Sequence, residues 1–106
     1  MSAKILSPIL QQRNEYTLEF YCPGCKMMHC VYLKHPDNKQ ASWDWNMCAK
    51  WPTFSPSLSI QMDWKDKDYR CHFFIRDGQL QYLGDCSHDL KGQTLPMMDI
   101  PEDDLG

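Results

Sequence analysis

The sequence predicts a mainly β domain: a small antiparallel sheet of two hairpins plus an extra strand, zinc-ribbon-like, with little helix. Three observations carry this. Apolar and polar residues alternate with a period of two over residues 15–21, 58–64 and 69–76. Asp77-Gly78 separates two strand-like runs, where a two-residue type I′ turn needs positive φ at both positions. Cys22-Pro23-Gly24-Cys25 makes a tight knuckle, answered downstream by Cys71-His72 and Asp85-Cys86-Ser87-His88.

In chain order, Tyr16, Leu18 and Phe20 share one face of a first strand, the knuckle follows, and residues 28–33 return as a second. His35-Pro36-Asp37-Asn38-Lys39 is a turn-rich break. Residues 43–46 suit a short strand. Pro52 and Pro56 fix φ and lack donors, so residues 51–58 read as an extended loop pinned by aromatics. Residues 58–64 form a third strand, and residues 65–68 a charged turn. The Asp77-Gly78 turn sets Arg76 opposite Gln79, Ile75 opposite Leu80 and Phe73 opposite Tyr82. Continued, that register sets Cys71 opposite Gly84 and Tyr69 opposite Cys86, and it points His72 to the other face. A helical turn ended by Gly92 suits residues 87–94.

The 106 residues are read as one domain, with 1–12 and 101–106 as loosely ordered ends. Four Trp, five Tyr, four Phe and seven Met supply a modest core. A net charge of −3 disfavours general binding to a phosphate backbone. No stretch reaches the roughly 18 apolar residues of a membrane helix. Pro8 interrupts an N-terminus without a signal-peptide core, so a cytoplasmic setting is expected, with six free or metal-bound Cys rather than disulfides.

A C-P-x-C knuckle offers two thiolates to one tetrahedral ion, and a structural site needs four ligands. The later cluster supplies the rest: Cys22, Cys25 and Cys71, with Cys86 or His88 as fourth. Soft thiolates select Zn2+. Gly84 leaves room beside them. His29 reads as a half-exposed strand residue, or else a ligand or a partner of one. His72 reads as a surface residue. Trp45, Trp51 and Phe54 are candidates for a partner-binding patch, since aromatics dominate binding hot spots. No H-E-x-x-H, deaminase, phosphate-loop or Gly-x-Ser-x-Gly pattern occurs, which ranks catalysis behind binding.

Five blocks in order carry a family resemblance: Cys22-Pro23-Gly24-Cys25 with His29, Trp43-x-Trp45-Asn46, residues 52–58, Cys71-His72-x-Phe74-Ile75-x-Asp77-Gly78, and residues 83–94. Together they span roughly residues 20–101. The chain resembles a small phage- and prophage-encoded family whose members often carry the label ammonia monooxygenase. The chain lacks the length, membrane spans and copper-ligand pattern that label requires. The resemblance implies a bacterial host cytoplasm and a shared pattern of Cys22, Cys25, Cys71, His72 and His88. It also implies that position 86 accepts Ser, which favours His88 as a ligand. The chain departs from the pattern at Lys26 and Met47, where the family tends to have Gly.

The function expected on these grounds is a phage or prophage accessory zinc protein that binds a host or phage macromolecule, a protein before a nucleic acid, with interference in host defence as one role open to it. Two other readings stand beside it. One is a small zinc-dependent hydrolase with a cleft lined by Asp85, His88 or His72. The other is a zinc-ribbon nucleic-acid binder.

Overall fold

The computed structural model describes residues 4–33, 42–64 and 67–105. Its strands form two antiparallel sheets. The first holds, in spatial order, β1 (Lys4–Ser7), β2 (Leu10–Asn14), β3 (Thr17–Cys22) and β4 (Met27–Tyr32). The second holds β5 (Asp44–Trp45), β6 (Phe54–Trp64), β7 (Lys67–Arg76), β8 (Gln79–Tyr82) and β9 (Thr94–Pro96). One 3-10 turn, Glu102–Asp104, is the only helical element among the described residues. The mainly β expectation holds, but the domain has two facing sheets where the sequence suggested one.

The alternation explains how the sheets meet. Leu18, Phe20 and Cys22 on β3 and Cys71, Phe73 and Ile75 on β7 point inward and have no exposed surface. The Phe20 and Phe73 rings meet edge to face across the gap, with centroids 5.7 Å apart. Burying one such ring contributes about 1.5–3 kcal/mol.

The β7–β8 register is the expected one from Arg76↔Gln79 to Phe73↔Tyr82. Asp77 (φ 50°) and Gly78 (φ 77°) both adopt the positive φ that the turn demands. Lys26 (φ 57°) and Met47 (φ 63°) are also left-handed, a conformation that favours glycine.

Several expectations need correction. Residues 4–14 are not a loose end, because Leu10 and Gln11 are fully buried and both segments pair into the first sheet. At the other end Gln11 Nε2 donates to the Asp104 carbonyl (3.1 Å). Phe54 to Ser57 are strand, not loop. Phe54 pairs with Ile75 and Leu58 with Phe73, so four steps on β6 match two on β7. Pro56 falls in this bulge, where a missing N–H costs no ladder bond. Finally, β8 ends at Tyr82, and residues 87–92 form bends and turns rather than a helix, with Thr94 already in β9. The break at His35–Lys39 and the first half of the charged turn, Lys65 and Asp66, lie outside the described residues, while Lys67 and Asp68 are strand rather than turn.

Candidate functional site

Two constellations form on opposite faces of β7. Inside, Cys22 at the end of β3, Cys25 in the knuckle, Cys71 on β7 and His88 after β8 bring one ligand atom each to within 4.8 Å of one another. They lie close enough to hold one metal ion. The Cys22 and Cys71 sulfurs are 3.8 Å apart, and Cys71 Sγ is 3.3 Å from His88 Nε2. The knuckle folds back on itself: Lys26 N–H donates to the Cys22 carbonyl (2.7 Å) and Cys25 N–H to Cys22 Sγ (3.4 Å). A Cβ on Gly24 would run into the His88 ring, so only glycine seats that ligand. Tyr82 Oη lies 3.1 Å from Cys22 Sγ, and the Tyr69 hydroxyl donates to Cys25 Sγ (3.2 Å).

The cluster's electrostatics suit a cation. Hydrogen bonds from Cys25 and then Cys71 hold the Cys22 thiol far below its usual range. The same sharing pushes Cys25 up to about 11 and raises Cys71. Burial lowers His88. The thiols thus stabilise a thiolate on Cys22, and burial favours the neutral form of the imidazole, the form that ligates a metal.

Cys86 is not in this set. Because the chain leaves the ladder after Tyr82, the Cys86 sulfur turns to the His72 backbone, accepting its N–H (3.3 Å) and donating to its carbonyl (3.1 Å). Burial raises this thiol. Gly84 is exposed, with open space where a side chain would stand, so it makes no room for a metal. His29 is buried rather than half-exposed, near-parallel to the Phe73 ring at 6.2 Å, with no hydrogen-bond partner for Nε2. Of the three patch residues, Phe54 is core, Trp45 stacks on it at 6.2 Å, and Trp51 is 58 % exposed.

Outside, a second chain of contacts forms. Ser57 Oγ is 3.2 Å from His72 Nε2, and His72 Nδ1 is 3.2 Å from Asp85 Oδ2. The two imidazole nitrogens therefore face a hydroxyl and a carboxylate, which is how a nucleophile, base and orienting acid are arranged. The β6 bulge sets Ser57 diagonally from His72 on the outward face, and Trp43 Nε1 fixes the Ser57 carbonyl (3.1 Å). Asp85 comes from the loop after β8. Its hydrogen bond to His72, and then its bond to Arg70 Nη1 (3.2 Å), hold its carboxyl below the usual range. Gln61 accepts from Arg70 Nε (3.1 Å) and Nη2 (2.7 Å) in the amide orientation that satisfies both groups.

Sequence reasoning missed Ser57 and placed His72 only as a surface or cleft residue. The signal was present. If β6 and β7 pair as a hairpin through Trp64 and Lys67, Ser59 falls opposite His72 and Ser57 diagonal to it.

In kind, this is a two-sheet β domain with serine-hydrolase geometry on its surface and a metal-type cluster in its core. The family is narrower still. Residues 2–83 match the model of BubE, the bacterial ubiquitination-like system serine protease, and the chain belongs to that family. No curated protein and no solved structure matches the chain. The family overturns the reading as a phage accessory zinc protein that acts by binding, and it gives the zinc-dependent hydrolase no support. Neither the phage origin nor the ammonia monooxygenase label finds support in it. Among the described residues no helix is long and apolar enough to cross a membrane.

Proposed function

We propose that the chain is a serine protease acting within a bacterial ubiquitination-like system, with Ser57 as nucleophile, His72 as general base and Asp85 as the orienting carboxylate. The continuous line from Ser57 Oγ through both His72 nitrogens to Asp85 carries this reading. Ser57 Oγ bonds to the scissile carbonyl carbon while His72 Nε2 takes its proton. The C–N bond then breaks, and the same proton passes to the leaving amine. Water enters by the reverse sequence and frees the acid. Asp85 stays ionised and stabilises the imidazolium.

The core cluster is assigned to zinc in a structural role. Sulfurs about 2.3 Å from a tetrahedral zinc lie about 3.8 Å apart, and the Cys22 and Cys71 sulfurs are 3.8 Å apart. Four protein ligands leave no position for a reacting water.

The test is labelling by a fluorophosphonate, which reacts with activated serines. Wild-type protein is expected to label at Ser57. Ser57→Ala is expected to abolish labelling, and Ser59→Ala, one residue pair away and opposite His72, to leave it. Labelling that survives Ser57→Ala would remove the assignment.

A further inference from the structure

Cys86 and Ser87 have no task in this chemistry, yet both are tied to the strand that carries His72. After Tyr82 the chain no longer runs as β8, so β7 from Arg70 to His72 would face unanswered backbone groups on that side. Each is met instead by the loop. His72 N–H donates to Cys86 Sγ (3.3 Å), and the His72 carbonyl accepts from Leu83 N–H (2.9 Å) and from the Cys86 thiol (3.1 Å). Arg70 N–H donates to Ser87 Oγ (2.9 Å), and the Arg70 carbonyl accepts from Ser87 N–H (2.8 Å). In a ladder both of these N–H groups would find backbone carbonyls. Here two side chains stand in for a strand, and Asp85 is the residue immediately before them.

We propose that Cys86 and Ser87 are positioning residues: their side chains dock the Asp85 loop onto β7 and so hold Asp85 Oδ2 against His72 Nδ1. This rests on the Ser57–His72–Asp85 reading. The chemistry sets what each position tolerates. Position 86 is 5 % exposed and needs a small group that both accepts and donates, a requirement that Ser meets and Ala does not. Position 87 is exposed and needs only an acceptor.

The experiment measures fluorophosphonate labelling rate, and kcat and KM for p-nitrophenyl acetate as a probe ester, in wild type and in the variants Ser57→Ala, Cys86→Ala, Cys86→Ser, Ser87→Ala and Ser87→Thr. Thermal midpoint and zinc content are measured beside them. Cys86→Ala is expected to lower labelling rate and kcat roughly 10- to 100-fold with KM and zinc content unchanged, and Cys86→Ser to recover most of the loss. Ser87→Ala is expected to lose roughly 3- to 10-fold, because water can replace an exposed acceptor, and Ser87→Thr to restore it. Wild type that labels no faster than Ser57→Ala would overturn the triad and this inference with it. Wild type that labels at Ser57 while Cys86→Ala keeps pace with it would overturn the inference alone, as would loss of zinc in Cys86→Ala. If Cys86→Ala does not fold, Ser87→Ala decides, and a rate equal to wild type overturns the inference.

Discussion

Cys71 and His72 are neighbours in the chain and belong to different chemistries. The pleat of β7 sends Tyr69, Cys71, Phe73 and Ile75 toward the other sheet and Arg70, His72, Phe74 and Arg76 toward solvent. On the inner face three thiols and an imidazole converge closely enough to hold one ion. On the outer face His72 keeps 27 % and Asp85 42 % of their side-chain surface exposed, and hydrogen bonds with the Arg70–Asp85 ion pair order them. One strand thus separates a buried Cys/His cluster from a surface line of Ser57, His72 and Asp85 at a distance of one residue. The lesson is that damage to the two faces should be separable in one direction only. Loss of the cluster disturbs both, whereas loss of a triad member leaves the cluster intact.

The largest expected effect tests the outer face. Asp85→Asn is expected to lower probe-ester hydrolysis on the order of 10³- to 10⁴-fold, because the amide presents the wrong partner to His72 Nδ1. Zinc content and thermal midpoint should stay at wild-type values, and a matching loss of zinc would break the separation. Next comes the inner face. Cys71→Ser, or chelation, is expected to unfold much of the domain, visible as lost near-ultraviolet dichroism, since binding free energy of a structural ion is folding free energy. A chelated protein that keeps its fold and its labelling rate would show that the cluster staples nothing.

A paired substitution grades the same contrast in energy. Phe73→Ala is expected to cost about 3–5 kcal/mol in denaturant unfolding. Phe74→Ala, whose half-buried ring lies under the Arg76 guanidinium at 4.2 Å, is expected to cost about 1 kcal/mol or less. Equal costs would mean that β7 is buried on both sides.

Acid should act through the inner face first. Thiolates holding an ion would carry no protons, whereas the unfolded thiols carry one each, so the unfolded chain would bind more protons and stability is expected to rise with pH below the ordinary Cys range. Zinc release on titration from pH 8 to pH 5 would check this. Asp85 has the same sign in a lower window: its lowered folded value means a contribution complete above the ordinary carboxylate range and lost as pH falls through that lowered value. The smallest effect expected is a gain. Lys26→Gly and Met47→Gly should each raise stability by up to about 1 kcal/mol, since both residues hold left-handed φ.

The alternation made much of the second sheet legible, because a face that must be buried specifies its own register. The hairpin at Asp77-Gly78 was readable to the residue. β1 and β2 were not, since Gln11 is buried through a polar bond to Glu19 (3.0 Å) that no hydrophobic pattern announces. Three members of the core cluster followed from knuckle chemistry and register. Cys86 and His88 could not be separated, because the register was carried past Tyr82, where the loop turns its sulfur to the His72 backbone. Ser57 escaped for a related reason: two prolines disguise a bulged strand as a loop, and a nucleophile in a bulge has no fixed sequence signature.

The sequence separations within the two constellations bear on the order in which the molecule assembles. Ser57 and His72 are 15 residues apart and His72 and Asp85 are 13, whereas the contact between Cys22 and Cys71 spans 49. Closing the longer loop costs more chain entropy. The meander of β6, β7 and β8 can therefore collapse as a local unit before the first sheet docks. In pulse-labelled hydrogen exchange during refolding, its amides are expected to gain protection ahead of the contacts that join the two sheets.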